Sequence, residues 1–98
     1  MQPVIDAIAS PRRREILRLV WDRELTAGQI ASRFDVSWPA VSQNLGVLRR
    51  AGLVAERREG TRRFYRATPR ALGPLEAALR QMWDQDLDRL KEAVEDGR

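Results

Sequence analysis

Cysteine and histidine are both absent from the 98 residues. Their absence removes disulfides, thiolate and imidazole metal ligands, nucleophilic thiols and the commonest general base. Thiol redox sensing and most enzyme chemistry therefore lack their raw material. Ser42, for example, has no histidine to activate it, and Lys91 is the single lysine in the chain. No enzyme, resident cofactor or metal site is expected. Long apolar runs are missing too: none approaches the roughly 20 residues needed to span a bilayer. The N-terminus also lacks a basic segment followed by an apolar one, the pattern of a secretory signal. A cytoplasmic protein without membrane contact is the expectation.

What is present is an ordinary globular balance, 43% hydrophobic and 33% charged, in a length suited to one domain with a small core. The net charge of +4 is unevenly spread: residues 49–73 carry eight basic and two acidic groups, and residues 74–98 four basic and seven acidic. A basic middle beside an acidic tail is the electrostatic footprint of a nucleic-acid binder with a separate, non-binding surface.

Asp35 to Gly52 carries helix punctuation at both ends. Ser37 is an N-cap residue, Pro39 falls in the first turn where its missing N–H is harmless, and Gly52 sits where a C′ glycine belongs. Arg49 and Arg50 complement the negative end of the helix dipole. Val41, Leu45 and Leu48, at i, i+4 and i+7, form a buried stripe. Trp38, Ser42, Gln43, Arg49 and Arg50 are left on the opposite side, with Asn44 at the boundary. Such a face can hydrogen-bond to base edges and phosphates.

Ahead of it, Thr26-Ala27-Gly28-Gln29 is a capping box that starts a helix of about two turns, to roughly Phe34. Ile30 and Phe34 give that helix its buried side. Two short helices joined by Asp35-Val36-Ser37 match a helix-turn-helix over about residues 26–51. Asp35 stands where a glycine is often found, and it tolerates the left-handed conformation better than most residues. Further upstream, residues 3–9 form a short helix with Val4, Ile5 and Ile8 on one stripe. Ser10-Pro11 caps the next helix, which buries Ile16, Leu17 and Val20 and leaves Arg12, Arg13, Arg14 and Arg18 mostly outside.

After Gly52, two extended runs flank Glu59-Gly60-Thr61 and read as a hairpin over about residues 54–68. Arg57, Arg58, Arg62 and Arg63 crowd its tip. A hairpin that follows a helix-turn-helix is a wing, and a basic wing can lie along the phosphate backbone or enter the minor groove. A long helix spans about residues 74–94. Leu72, Leu75, Leu79, Met82, Trp83, Leu87, Leu90 and Val94 recur along it at spacings of three and four. That surplus seam suggests a partner helix, most simply from a second copy. Asp84, Asp86, Asp88 and Glu92 read as the wet face of the same helix rather than a cation site.

In this order the parts resemble the ArsR family of small bacterial winged-helix repressors. Four phrases carry the likeness. Ser10 to Leu17 resembles the opening of the family's second helix, and Leu25 to Ala31 its first motif helix. Ser37 to Leu45 with Leu48 to Val54 resembles its recognition helix and exit, and Arg57 to Arg66 its wing.

The resemblance implies a mainly α winged helix-turn-helix with a two-stranded wing, residues 1–98 forming one DNA-binding domain. It further implies a homodimer on operator DNA that blocks transcription. Carried over, Ser37, Trp38, Ser42, Gln43 and Asn44 face the major groove, while Arg49, Arg57, Arg58, Arg62 and Arg63 meet phosphates or the minor groove. The first and last helices form the dimer interface through Val4, Ile5, Ile8, Leu75, Leu79, Met82, Trp83, Leu87 and Leu90. Metal-responsive members use cysteines near the recognition helix or mixed His and Asp ligands on the last helix, and neither set exists here. The chain is similar instead to the non-metal type, whose signal is an organic ligand, a partner protein or the repressor's own abundance. A protein-binding winged helix and a transcriptional activator are the alternative readings; the basic wing argues against the first.

Overall fold

Ser10, Thr26 and Ser37 each open a helix by accepting a hydrogen bond from the amide three residues on, at 3.3, 3.1 and 3.3 Å respectively. At Thr26 the bond is reciprocated, its own amide donating to Gln29 Oε1 at 2.8 Å, which completes the capping box. The computed structural model describes the backbone of residues 1–96 and the side chains of residues 1–85. Its elements run α1 (Gln2–Ile8), α2 (Pro11–Leu19), α3 (Ala27–Ala31), α4 (Trp38–Arg50), β1 (Val54–Glu59), β2 (Arg62–Ala67), a 3₁₀ turn (Pro69–Leu72) and α5 (Leu75–Asp96).

The motif turn differs from the sequence expectation in two ways. First, α3 ends at Ala31 rather than near Phe34. Arg33 and Phe34 donate to carbonyls only three residues back, at 3.0 and 3.2 Å, so the last turn tightens into 3₁₀ geometry. Second, Asp35 is not left-handed: positive φ among the described residues occurs only at Gly52, Gly60 and Gly73. The tightened turn redirects the chain without it.

The exit from α4 follows the expected chemistry closely. Gly52, at φ +79°, lets its own amide reach Arg49 O at 2.9 Å and that of Leu53 reach Leu48 O at 2.9 Å. This is the paired bonding of a Schellman cap. A Cβ built on Gly52 meets nothing within 4 Å, so Gly52→Ala carries only the backbone penalty of the left-handed region. We expect a loss of about 1–2 kcal/mol, readable as a lower midpoint in thermal melting; an unchanged midpoint would contradict the left-handed assignment.

β1 and β2 pair antiparallel from Val54↔Ala67 to Glu59↔Arg62. Gly60, at φ +63°, takes the first place of the two-residue turn, where a II′ hairpin wants glycine. The base of the wing is stitched to the body: Ala67 donates to Val20 O at 2.9 Å and Thr68 to Leu53 O at 2.8 Å. Leu25 and Tyr65 exchange both backbone hydrogen bonds, at 3.1 and 2.8 Å, so the loop before α3 adds a one-residue third strand beside β2.

Ile16 and Leu17 from α2 with Val20 at its C-cap, Ile30 from α3, and Val41, Leu45 and Leu48 from α4 are fully enclosed, together with Leu53 and Leu72. Such burial contributes about 1.5–3 kcal/mol per large aliphatic side chain. Leu72, read as part of the C-terminal seam, belongs instead to the 3₁₀ turn, and the core absorbs it. Arg13 and Arg14 also depart from expectation, being half-buried rather than outside. Arg13 donates to Ala7 O at 2.7 Å and Asp6 O at 3.0 Å, and Arg14 to Ile8 O at 2.7 Å and Ala9 O at 3.3 Å. The two guanidiniums thus satisfy the open carbonyls at the end of α1 and tie it to α2.

Candidate nucleic-acid interface

The buried stripe of α4 turns its opposite face outward, so Ser37, Trp38, Ser42, Gln43, Arg49 and Arg50 are exposed. Ser37 Oγ also serves the cap. Asn44 does not share this face. Its Nδ2 donates to Ala40 O at 3.1 Å and its Oδ1 accepts from Arg13 Nη1 at 3.4 Å. The amide thus bonds within the protein, joining α4 to the arginine that caps α1.

Trp38 is 62% exposed, yet one edge of its ring lies over α3. A Cβ on Gly28 would stand 3.8 Å from both Cη2 and Cζ3 of the indole. The ring braces the start of α4 against α3 with one edge and faces solvent with the rest. It also lines an open cleft of about 340 Å³ with Thr26, Ser42, Arg62, Arg63 and Tyr65, between the beginning of α4 and the wing tip. The cleft walls combine hydroxyls, an indole and two guanidiniums, a set suited to a sugar-phosphate chain.

Alternation along the strands divides the wing arginines between two faces. On one, Arg49 Nη1 donates to Glu56 Oε2 at 2.8 Å, while the Nε atoms of Arg58 and Arg63 stand 3.8 Å from Glu56 Oε1. On the other, Arg57 reaches Glu24 with two bonds, at 2.8 and 3.2 Å, and Glu59 with one at 2.9 Å. Phe64 lies beneath both Arg57, at 4.8 Å, and Arg62, at 5.1 Å. The Arg57 hydrogen bond holds the Glu24 carboxyl below its ordinary range, and Arg57 is itself pushed up by Glu24 and then Glu59. Because Glu24 is lowered on folding, the pair helps the folded state above the usual carboxylate range and ceases to help as pH falls through the lowered value.

The arginines expected at phosphates are thus unequal. Arg57 is committed to carboxylates of its own chain, whereas Arg62 and Arg50 make no ion pair among the described residues. Sequence reasoning missed Glu56, Glu24 and Tyr65. Glu56 had a usable signal: a two-residue turn at Gly60-Thr61 puts it opposite Tyr65 and diagonal to Arg63. Glu24 had none, because its partner is 33 residues away.

The residues expected at a dimer interface also divide. Val4 (8% exposed) and Leu79 (2%) are buried in the core of their own chain. Ile5 and Met82 are open, at 43% and 44%, and Ile8, Leu75 and Trp83 are half-buried. Trp83 meets Trp21 edge to face at 5.0 Å. Leu87 and Leu90 lie outside the described side chains, as do Asp86, Asp88 and Glu92. Among the described residues no three acidic side chains gather as a metal site requires, and no helix is long and apolar enough to cross a membrane.

A family model described as bacterial regulatory protein, arsR family, matches residues 10–56. The HTH-type transcriptional regulator Rv2034 of Mycobacterium tuberculosis is 41% identical over 81 residues, 83% of this chain and 76% of that protein. The transcriptional repressor SdpR of Bacillus subtilis is 38% identical over 65 residues, 66% of this chain and 72% of its own length. Among solved structures, the homodimeric winged helix-turn-helix DNA-binding domain (fragment 1–100) of Mb0332 from Mycobacterium bovis is 34% identical with a TM-score of 0.74. That match covers 86% of this chain and 78% of that one.

Proposed function

The chain belongs to the arsR family of bacterial regulatory proteins, and we propose that it represses transcription by binding an inverted-repeat operator as a homodimer. It is a DNA-binding transcriptional regulator that acts by occupying DNA, not by catalysing a reaction, and residues 1–98 work as one domain in the cytoplasm. One observation carries the reading. Trp38 and Ser42 at the start of α4 and Arg62 and Arg63 of the wing line one open cleft, so a duplex that meets the beginning of the helix also meets the wing tip.

The work divides along physical lines. Arg49, Arg58, Arg62 and Arg63 supply affinity by neutralising phosphates, a term indifferent to sequence. Ser42 and Gln43, with Ser37 and Trp38 at the helix start, supply discrimination of about 1–3 kcal/mol per good base contact. Gln43 suits adenine, whose N6 and N7 match a carboxamide, so an adenine is expected in each half-site. Asn44 supports the helix rather than reading. The exposed Ile5 and Met82, with half-buried Ile8, Leu75 and Trp83, support a partner surface, to which the sequence spacing adds Leu87 and Leu90. A two-fold dimer sets its reading helices about 34 Å apart, one turn of the duplex.

Selection of bound fragments from genomic DNA, followed by footprinting, tests this. The expected product is a footprint with two half-sites related by a dyad. Protection of a single unrepeated half-site by monomer defeats the dimer, and equal binding to selected and random fragments defeats the regulator.

A further inference from the structure

We propose that Glu56 is a specificity-determining residue: by holding Arg49, Arg58 and Arg63 in one array, it makes DNA binding selective at the expense of binding strength. The proposal rests on the DNA-binding reading above. A carboxylate amid phosphate-seeking arginines is at first sight misplaced, since it repels the ligand they attract. Its geometry explains its presence. The side chain is only 14% exposed, and its two oxygens divide their work, Oε2 taking Arg49 at 2.8 Å and Oε1 facing Arg58 and Arg63 at 3.8 Å each.

Those three arginines come from three elements. Arg49 stands in the last turn of α4, Arg58 on β1 and Arg63 on β2. Glu56 makes the one ion-paired link between α4 and the wing among the described residues. It therefore couples the helix that reads bases to the strands that grip phosphates. Three guanidiniums around one carboxylate leave a local surplus of two positive charges in a set arrangement. A duplex in the correct register presents phosphates to that arrangement while α4 meets its bases. In a wrong register it must either forgo phosphate contacts or pull the arginines from Glu56. Without Glu56 the long arginine side chains follow phosphates in any register, and the difference in affinity that constitutes specificity shrinks.

Three variants separate charge from placement, measured by fluorescence anisotropy against the selected operator and a scrambled duplex of equal length. Glu56→Gln is expected to bind scrambled DNA about 8-fold more tightly near 0.1 M salt and to steepen the salt slope by about 0.9, as for one additional phosphate contact. Its operator affinity rises less, so the ratio of the two falls by about 5-fold. Glu56→Asp keeps the charge but withdraws the carboxylate by one methylene from Arg49; it is expected to lower the ratio without changing the slope. Glu59→Gln makes the same charge change on the other face, where its partner is Arg57, and is expected to raise both affinities together. The proposal is overturned if Glu56→Gln and Glu59→Gln change the ratio equally, or if Glu56→Asp keeps the wild-type ratio. Thermal melting identifies any variant that has lost its fold, and if Glu56→Gln is one, Glu56→Asp decides alone. Wild-type protein that does not discriminate operator from scrambled duplex refutes the DNA-binding reading and this proposal with it; discrimination that survives in both Glu56 variants refutes this proposal only.

Discussion

Leu48→Ala is expected to remove about 2–5 kcal/mol from the unfolding free energy. Leu48 is fully enclosed and sits on α4 at the point where its carbonyl also receives the amide of Leu53. Truncation removes three carbons from the enclosed core that Leu48 shares with side chains of α2, α4 and β1. Total stability for a domain this small is of the order of 5–15 kcal/mol, so one substitution takes a large share of it. Each kcal/mol corresponds to about 4–8 °C in midpoint at this size. Urea titration and thermal melting check the value, and Leu48→Met, which preserves volume, should lose less than about 1.5 kcal/mol. A loss below 1 kcal/mol for the alanine variant contradicts the central place given to this residue. The consequence for DNA is indirect: at temperatures where the variant remains folded, the exposed face of α4 is intact and operator preference is unchanged.

Replacing Arg62 with alanine should weaken binding to operator and random DNA alike, by on the order of 10-fold near 0.1 M salt. It should also flatten the salt slope by about 0.9, one contact's worth. The structure singles out this residue: it lines the cleft opposite Ser42 and Trp38, makes no ion pair among the described residues and stands outside the Glu56 array. Arg57→Ala is the instructive contrast. Arg57 already holds Glu24 and Glu59, so its removal frees two carboxylates and loosens the wing from the loop before α3 rather than deleting a phosphate contact. Gln43→Ala should behave differently again, altering which sequence is preferred while leaving the salt slope unchanged. Slope and preference moving together in both experiments would sink the division between gripping and reading residues.

Local chemistry was legible in the chain and long-range pairing was not. Ser10, Thr26, Ser37, Gly52 and Gly60 stand where sequence reasoning put them, because a cap or a turn is decided by residues within three or four positions. The stripe of Val41, Leu45 and Leu48 was equally clear, since helical period alone defines it. The hydrogen bond between Asn44 and Arg13 was not legible, because the two are 31 residues apart. Arg57 likewise looked free until the loop bearing Glu24 folded against the wing. Val4 and Leu79 show the remaining difficulty: a period marks an apolar face, but not whether the chain's own core or a partner covers it.

The three indoles of this chain inhabit different surroundings. Trp38 stands 62% exposed at the start of α4, whereas Trp21 and Trp83 are half-buried against each other at 5.0 Å, with Arg80 over Trp21 at 5.3 Å. Water around an excited indole shifts its emission to the red, and close packing shifts it to the blue. The molecule therefore contains two spectrally distinct internal reporters. A duplex settling against α4 is expected to dim the red-emitting one, and any parting of α5 from the body to disturb the blue-emitting pair, so that the two events separate in unlabelled protein.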